Sequence, residues 1–300
     1  MNTDNLFNYM FKPDWAAMWE RGIKEAWADE MVNKHGSIKK AWDNYAREYE
    51  EGEIRYSNRV ELVERILDSR PDRVLDIGGG TGVFAIPIAR HVNRVIVVEP
   101  SEGMLEILKE KAKKEGLDNI VYVMKRWEEV SKEEVLALND GNAYDAVLAS
   151  HSIYYIGDLH RSFLKMNDVV KGYVYLFTGC SGYTRDRSYE KLYLILHKKP
   201  LPPYPDYSCI YMILREIGIQ PNIEMVSAKV NRPIRDIEEV IDRWKGYLDK
   251  EDLSREEEEA IREYLSDKIK EENGQLYHYC EYKNALIYWK FERDIKEAAI

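Results

Sequence analysis

Cysteine is scarce in this chain, glutamine scarcer, and no apolar run comes near the roughly 20 residues that a membrane-crossing helix needs. The three cysteines, Cys180, Cys209 and Cys280, stand far apart. An odd number without metal-type spacing makes neither a disulfide framework nor a zinc signature. No metal centre is expected, because the histidines at 35, 91, 160, 197 and 278 form no ligand pattern either. The opening MNTDNLFNYMFKPDW lacks a basic stretch leading into an apolar one, so no secretory signal is expected and the expected location is cytoplasmic. A positive surplus is missing too. Lys and Arg number 44 against 54 Asp and Glu, a net charge of -10. A chain whose main task is gripping phosphates carries a basic excess, so nucleic acid is not an expected partner.

What is present is enough for a full α/β core. Up to about residue 70 the apolar period is helical. Trp15, Met18, Trp19, Ile23, Trp27 and Met31 make one stripe. Ser37 is placed to cap a second helix, and Ser57 a third that carries Val60, Val63, Ile66 and Leu67. From Arg73 short β-branched runs alternate with helical segments: 73–77, 94–98, 120–124, 144–149 and 173–178. Alternation of this kind implies right-handed crossovers and a mostly parallel, doubly wound sheet covered on both faces. A helix is expected from Ser101 to Gly116. Later segments read as a strand at Asn222–Val230, a charged helical layer over 234–272 with Ser254 and Glu257 spaced as a capping box, and a last strand at Ala285–Phe291.

The first strand ends in Asp76 and runs into Gly78-Gly79-Gly80-Thr81-Gly82. So many glycines in a bend mean that backbone approaches a ligand where a Cβ would collide. A dinucleotide fingerprint would need glycine at 78, 80 and 83, and position 83 is Val; no Lys-Ser or Lys-Thr pair follows to make a phosphate loop. One strand on, Val95–Val98 ends in Glu99, followed by Pro100, Ser101 and Met104. The fourth strand runs into Ser150-His151-Ser152-Ile153-Tyr154-Tyr155.

The series Asp76-x-Gly78-x-Gly80-x-Gly82 and the loop after Ala149, with the acidic Glu99 between them, resembles motifs I and IV of the class I S-adenosylmethionine-dependent methyltransferases and their acidic second-strand end over roughly residues 40–180. The resemblance implies S-adenosylmethionine as cofactor and S-adenosylhomocysteine as product. It implies that Asp76, Gly78, Gly79, Gly80 and Gly82 cradle the cofactor and that Glu99 accepts from the ribose hydroxyls. Pro100 and Met104 would lie along the adenine, and Ser150 and His151 would border the methionine and the acceptor. Where relatives carry Gly-Asp-Ala this chain has Arg126-Trp127-Glu128. A guanidinium only donates, so Trp127 is expected to stack on the purine with Arg126 beside it. Tyr45, Tyr49 and Tyr56 sit where relatives place a lid, with Tyr49 and Tyr56 expected against the cofactor. His151 is the candidate catalytic base.

The expected organisation is a helical lid (1–70), a cofactor-binding core (71–182), and a substrate cap with the remaining strands (183–300) in the same domain. The expected acceptor is a small molecule. Nine Lys/Arg against four Asp/Glu between 160 and 215 suggest an anionic one. RNA or protein as acceptor, or a regulator that binds S-adenosylmethionine without turnover, are the alternatives. The expected assembly is a monomer or homodimer.

Overall fold

The computed structural model describes residues 13–24, 29–53, 59–180, 187–200, 205–248 and 251–292. Four helices come first: α1 (Trp15–Ile23), α2 (Asp29–His35), α3 (Ile38–Glu53) and α4 (Arg59–Asp68). Asp14 caps α1 by accepting from the Ala17 N–H, and Trp19 and Ile23 point into the main core. Within the apolar stripe expected from Trp15 to Met31, Trp27 lies outside the described residues. Ser37 caps α3, its Oγ accepting from the Lys40 N–H at 3.2 Å. The cap expected at Ser57 lies outside the described residues.

The alternating region follows in the expected order: β1 (Arg73–Ile77), α5 (Ala85–Ala89), β2 (Arg94–Val98), α6 (Glu102–Glu115), β3 (Ile120–Val123), α7 (Lys132–Ala137), β4 (Tyr144–Ser150), α8 (Leu159–Val169) and β5 (Val170–Gly179). Helix α6 begins and ends as read: Ser101 accepts from the Met104 N–H, and Gly116 closes it at φ 68°. Then come α9 (Arg187–His197), α10 (Tyr207–Glu216), β6 (Asn222–Ile234), α11 (Ile237–Leu248), α12 (Arg255–Leu265), β7 (Ile269–Glu272) and β8 (Gln275–Lys290).

The strand order is β3-β2-β1-β4-β5-β8-β6, with β7 also pairing β8. Strands β1 to β5 are parallel, and β8 enters antiparallel to both β5 and β6. The order reverses between β1 and β4, and in open α/β sheets the crevice at that reversal, outside the carboxyl ends of the strands, is where ligands bind. Each face of the sheet carries its own apolar core. One holds Ile77, Ile96, Phe163 and Trp289, and the other holds Val74, Val97, Leu108 and Phe177.

The far end differs from the sequence expectation. The charged layer over 234–272 is two helices and a strand, Ile234 belongs to β6, and β8 starts ten residues before Ala285. The cause is a two-residue turn. Asn273 and Gly274 take φ 51° and 77°, the left-handed pair that a tight hairpin demands. Gly179 pairs with Asn284, so everything from Gln275 to Lys283 lies beyond the carboxyl end of β5. Opposite it, β6 continues from Val226 to Ile234. At about 3.4 Å per residue the eight positions from 276 to 283 carry an arm roughly 27 Å past the sheet, on its ligand side. The arm has a core of its own, in which Leu192, Leu196, Ile241, Ile261 and Leu265 are buried.

Candidate active site

The bend after β1 is shaped by two glycines whose backbone most side chains would forbid. Gly78 (φ +70°) is so close to the β4 loop that a Cβ would sit 2.2 Å from Ser152 Cβ. Gly80 (φ +52°) is the opposite case: a Cβ there would meet nothing within 4 Å and would point into open space. Gly78 is thus a packing glycine, and Gly80 is a glycine kept bare toward a ligand. Gly82 packs on Leu108 and accepts from the Ile86 N–H as α5 begins.

A cleft opens at this bend, lined by Tyr49, Arg59, Leu62, Asp76, Gly78, Gly79, Gly80, Val83, Phe84, Ser150, His151 and Phe177. Asp76, Gly78, Gly79, Gly80, Ser150, His151 and Tyr49 therefore come together there, while Gly82 packs behind the bend. Tyr56 lies outside the described residues. Arg59, Leu62, Phe84 and Phe177 were missed, because no local motif marks a residue that reaches a site from a different helix or strand.

Two buried carboxylates stand behind the bend. Asp76 is 2% exposed, and its Oδ2 has no hydrogen-bond partner among the described residues. Burial, reinforced by the nearby Glu99 charge, raises its pKa from 3.8 to about 7. Glu99 Oε2 accepts from the Gly80 N–H at 3.0 Å, and Oε1 accepts from the Ser101 N–H at 2.8 Å. Burial also pushes Glu99 upward, and the two backbone hydrogen bonds partly offset this. The exit of β2 is thereby tied to the exit of β1. Each carboxylate oxygen has a second lone pair left for a ligand donor.

Met104 is buried at the start of α6. The Ser101 hydroxyl donates to Asp43 Oδ1 at 2.7 Å, and the Gly103 N–H donates to the same oxygen at 3.2 Å. Asp43 thus fastens α3 across the N-terminus of α6, with Glu50 and Lys111 paired at 2.8 Å further along. The sequence contains no signal for this clasp. Glu99, Pro100, Met104, Arg126 and Trp127 are not among the cleft's lining residues. Trp127 is 3% exposed within the main core, and Lys165 Nζ lies 3.9 Å from its ring centroid. The face under that ammonium is not open to a purine. Arg126 joins two loops instead, donating to Glu128 and to the Tyr155 carbonyl at 3.2 Å.

His151 takes φ +51°, a conformation that bulky residues adopt only when their surroundings enforce it. Its N–H donates to the Phe177 carbonyl at 2.8 Å, and its ring meets the Phe177 ring edge-on at 5.0 Å. Burial lowers the imidazole pKa to about 4, so the ring is neutral at physiological pH. Nδ1 lies 3.4 Å from the Tyr154 hydroxyl, which is 2.8 Å from Thr178 Oγ1 and accepts from the Gly179 N–H at 2.8 Å. Tyr154 in turn stacks on Trp19 of α1.

An adenosyl group bearing methionine fits this arrangement on two counts. Gly80 leaves room where a side chain would intrude, and Asp76 offers a buried acceptor with nothing bound to it among the described residues. Among the described residues no group of His, Cys, Asp and Glu is placed to hold a metal ion, and no helix is long and apolar enough to cross a membrane.

Comparison with known proteins agrees with this geometry. A family model described as a methyltransferase domain matches residues 46–220. The chain is 24% identical over 237 residues to an uncharacterized protein of Haemophilus influenzae, covering 78% of this chain and 81% of that one. It is 27% identical over 147 residues to a demethylmenaquinone methyltransferase of Bacteroides fragilis, covering 46% of this chain and 57% of the relative. Among solved structures, the YcgJ protein of Bacillus subtilis superposes with a TM-score of 0.50 at 17% identity, over 79% of this chain and 99% of that one, and shares the fold. With the family match spanning more than half of its residues, the chain belongs to the class I S-adenosylmethionine-dependent methyltransferases and is a methyl-transfer enzyme.

Proposed function

We propose that this enzyme methylates a small-molecule acceptor in the cleft between the glycine bend and the β4 loop. The observation that carries the proposal is the arm itself. Continuous pairing takes β6 and β8 past the carboxyl end of β5, on the side where the cleft opens, and a separate apolar core stiffens the arm. Such an arm on the ligand side of the sheet favours a small acceptor over a polymer. The net charge of -10 argues in the same direction. A relative of partial coverage is named for a small acceptor, demethylmenaquinone. On this reading residues 1–70 act as lid, 71–182 hold the cofactor, and 183–300 make the cap and the outer strands of one domain.

The chemistry supplied by bound S-adenosylmethionine is an electrophilic methyl on a sulfonium sulfur. The protein's task is then to place a nucleophile in line behind that carbon and to exclude water. Glu99 takes the ribose hydroxyls while its backbone hydrogen bonds hold it still, and Gly80 gives the sugar and methionine their room. Ser150, His151 and Phe177 form the wall nearest the acceptor. The neutral His151 ring accepts a proton only from a nucleophile that arrives protonated, such as a hydroxyl or ammonium.

The basic excess between 160 and 215 lends little to an anionic acceptor. Lys165 is held by the Trp127 and Val130 carbonyls, Lys171 pairs with Asp145, Lys191 with Glu263, and Lys198 with Glu256. Incubating the enzyme with methyl-labelled S-adenosylmethionine and fractionated cell extract tests the proposal. Label in the small-molecule fraction is expected. Label confined to RNA or protein would overturn it.

A further inference from the structure

Strand β5 closes on Gly179, a glycine with room beside it. A Cβ built there would meet only the Tyr154 hydroxyl among the described residues, at 3.6 Å, which is ordinary contact. Gly172 in the same strand is the contrast, since a Cβ there would sit 2.0 Å from the Asp145 carbonyl oxygen. Packing requires Gly172 and does not require Gly179.

Directly across from Gly179 on β8 stands Asn284, whose partner on β6 is Val226. Residues paired across an antiparallel ladder share a face of the sheet, and every second residue of a strand returns to that face. Val226 and Leu286 pack in one apolar core with Phe177, Leu62, Val83 and Phe84, and the last four of these line the cleft. Asn284 therefore stands on the face of the sheet that the cleft borders. Phe177 pairs with Leu286, so Asn284 is its diagonal neighbour, about 7–8 Å away and nearer the ligand end.

Asn284 is 4% exposed, and its Nδ2 makes no hydrogen bond to the described residues. A carboxamide donor shut away from water without a partner costs free energy that an apolar residue of the same shape would not. Its neighbours on that face, Val226 and Leu286, are apolar, so packing alone would favour leucine. A donor retained at such a cost at the ligand end of a sheet suits an acceptor atom on a ligand. The apolar surroundings restrict that atom to a neutral group, because an ion would give up its hydration there.

Resting on the small-molecule reading of the cleft, we infer that the molecule to be methylated extends from the cleft over Phe177 and Gly179 to Asn284, whose Nδ2 donates to one of its uncharged oxygen or nitrogen atoms. Asn284 then determines specificity, selecting acceptors with a carbonyl, hydroxyl or ring nitrogen at that distance from the methylated atom. The missing side chain at Gly179 keeps the path open.

The test compares the unaltered enzyme with Asn284→Leu and Gly179→Ala, using methyl-labelled S-adenosylmethionine and the small-molecule fraction of cell extract. Asn284→Leu should raise the amount of extract needed for half-maximal labelling at least about fivefold, the scale of one lost hydrogen bond between neutral groups. It should also raise the melting temperature, because the unpaired donor is gone, and leave S-adenosylhomocysteine affinity within about twofold. Gly179→Ala should melt close to the parent, since its methyl meets Tyr154 at an ordinary distance, and should impair labelling in the same way. A lower melting temperature for Asn284→Leu would mark a structural role and overturn the inference. Unchanged labelling by either variant would overturn it too. If the unaltered enzyme labelled only RNA or protein, or nothing, the small-molecule reading would fall and take this inference with it.

Discussion

The exits of β1 and β2 and the exits of β4 and β5 lie side by side at one end of the sheet, yet they are built by different means. On the first side the working groups are backbone N–H donors, a bare glycine and two buried carboxylates, all within the short run from Asp76 to Met104. On the second side they are side chains brought from separate elements: His151 from the β4 loop, Phe177 from β5 and Arg59 from α4. The first side is rigid and local, as recognition of an unvarying cofactor requires. The second is assembled from afar, and substitutions there can change the acceptor without disturbing the bend.

The sharpest test of the contrast is Gly80→Val. A β-branched residue at φ +52° strains the backbone by about 1–2 kcal/mol, and its side chain enters the space kept for the ligand. Affinity for S-adenosylhomocysteine should fall by about two orders of magnitude or more in calorimetry, against a drop in melting temperature of only a few degrees. Unchanged affinity would show that the open space at Gly80 does not take the cofactor.

Glu99→Ala should weaken S-adenosylmethionine and S-adenosylhomocysteine by the same factor, about 10- to 100-fold, because both carry the same ribose. The variant also strips the Gly80 and Ser101 N–H groups of their acceptor, so a loss of stability should accompany it. Different factors for the two ligands would remove Glu99 from the sugar.

The third test uses pH. Asp76, raised to about 7, is mostly protonated at pH 6 and ionised at pH 8. A cofactor donor held by Asp76 is bound best by the ionised form, so cofactor affinity should climb as pH rises through 7, by up to about tenfold per pH unit below it, and Asp76→Asn should flatten the climb. The same shift has the opposite sign for folding. The native state holds a proton that the unfolded chain releases, so this group's contribution to stability declines as pH rises from 3.8 toward 7.

The smallest effect on the cofactor is expected from the arm. Leu265→Ala empties a fully buried place in the arm's separate core and should cost about 2–5 kcal/mol, visible as faster amide exchange in β6 and β8. Its effect on S-adenosylhomocysteine affinity should stay within about twofold, since no arm residue is among those lining the cleft. A large loss of affinity would erase the division between the two sides.

Legibility in sequence follows the same division. Asp76, the glycines and Glu99 are near neighbours in the chain, and each needs a specific residue type, so their pattern survives in one dimension. The helix from Ser101 to Gly116 was legible for the same reason, since both its caps are local chemistry. The arm was not. Residues 269–283 are charged and polar, and their strand state comes from pairing with β6, although the Asn273-Gly274 turn was a signal that the helical reading of 234–272 passed over. Trp127 shows the limit of analogy. Its place in the motif pointed to the purine, but packing against Lys165 and the main core placed it elsewhere.

By itself the sequence determined the alternating sheet, the bend and the carboxylate beside it, because periodicity, glycine conformation and charge are properties of short segments. Tertiary structure alone decided that Arg59 lines the same cleft as Asp76, that Asp43 clasps α6, that Tyr154 braces His151, and that the last strand overshoots the sheet. Those are contacts between residues dozens to hundreds of positions apart, and only the folded chain brings such groups within reach of one another.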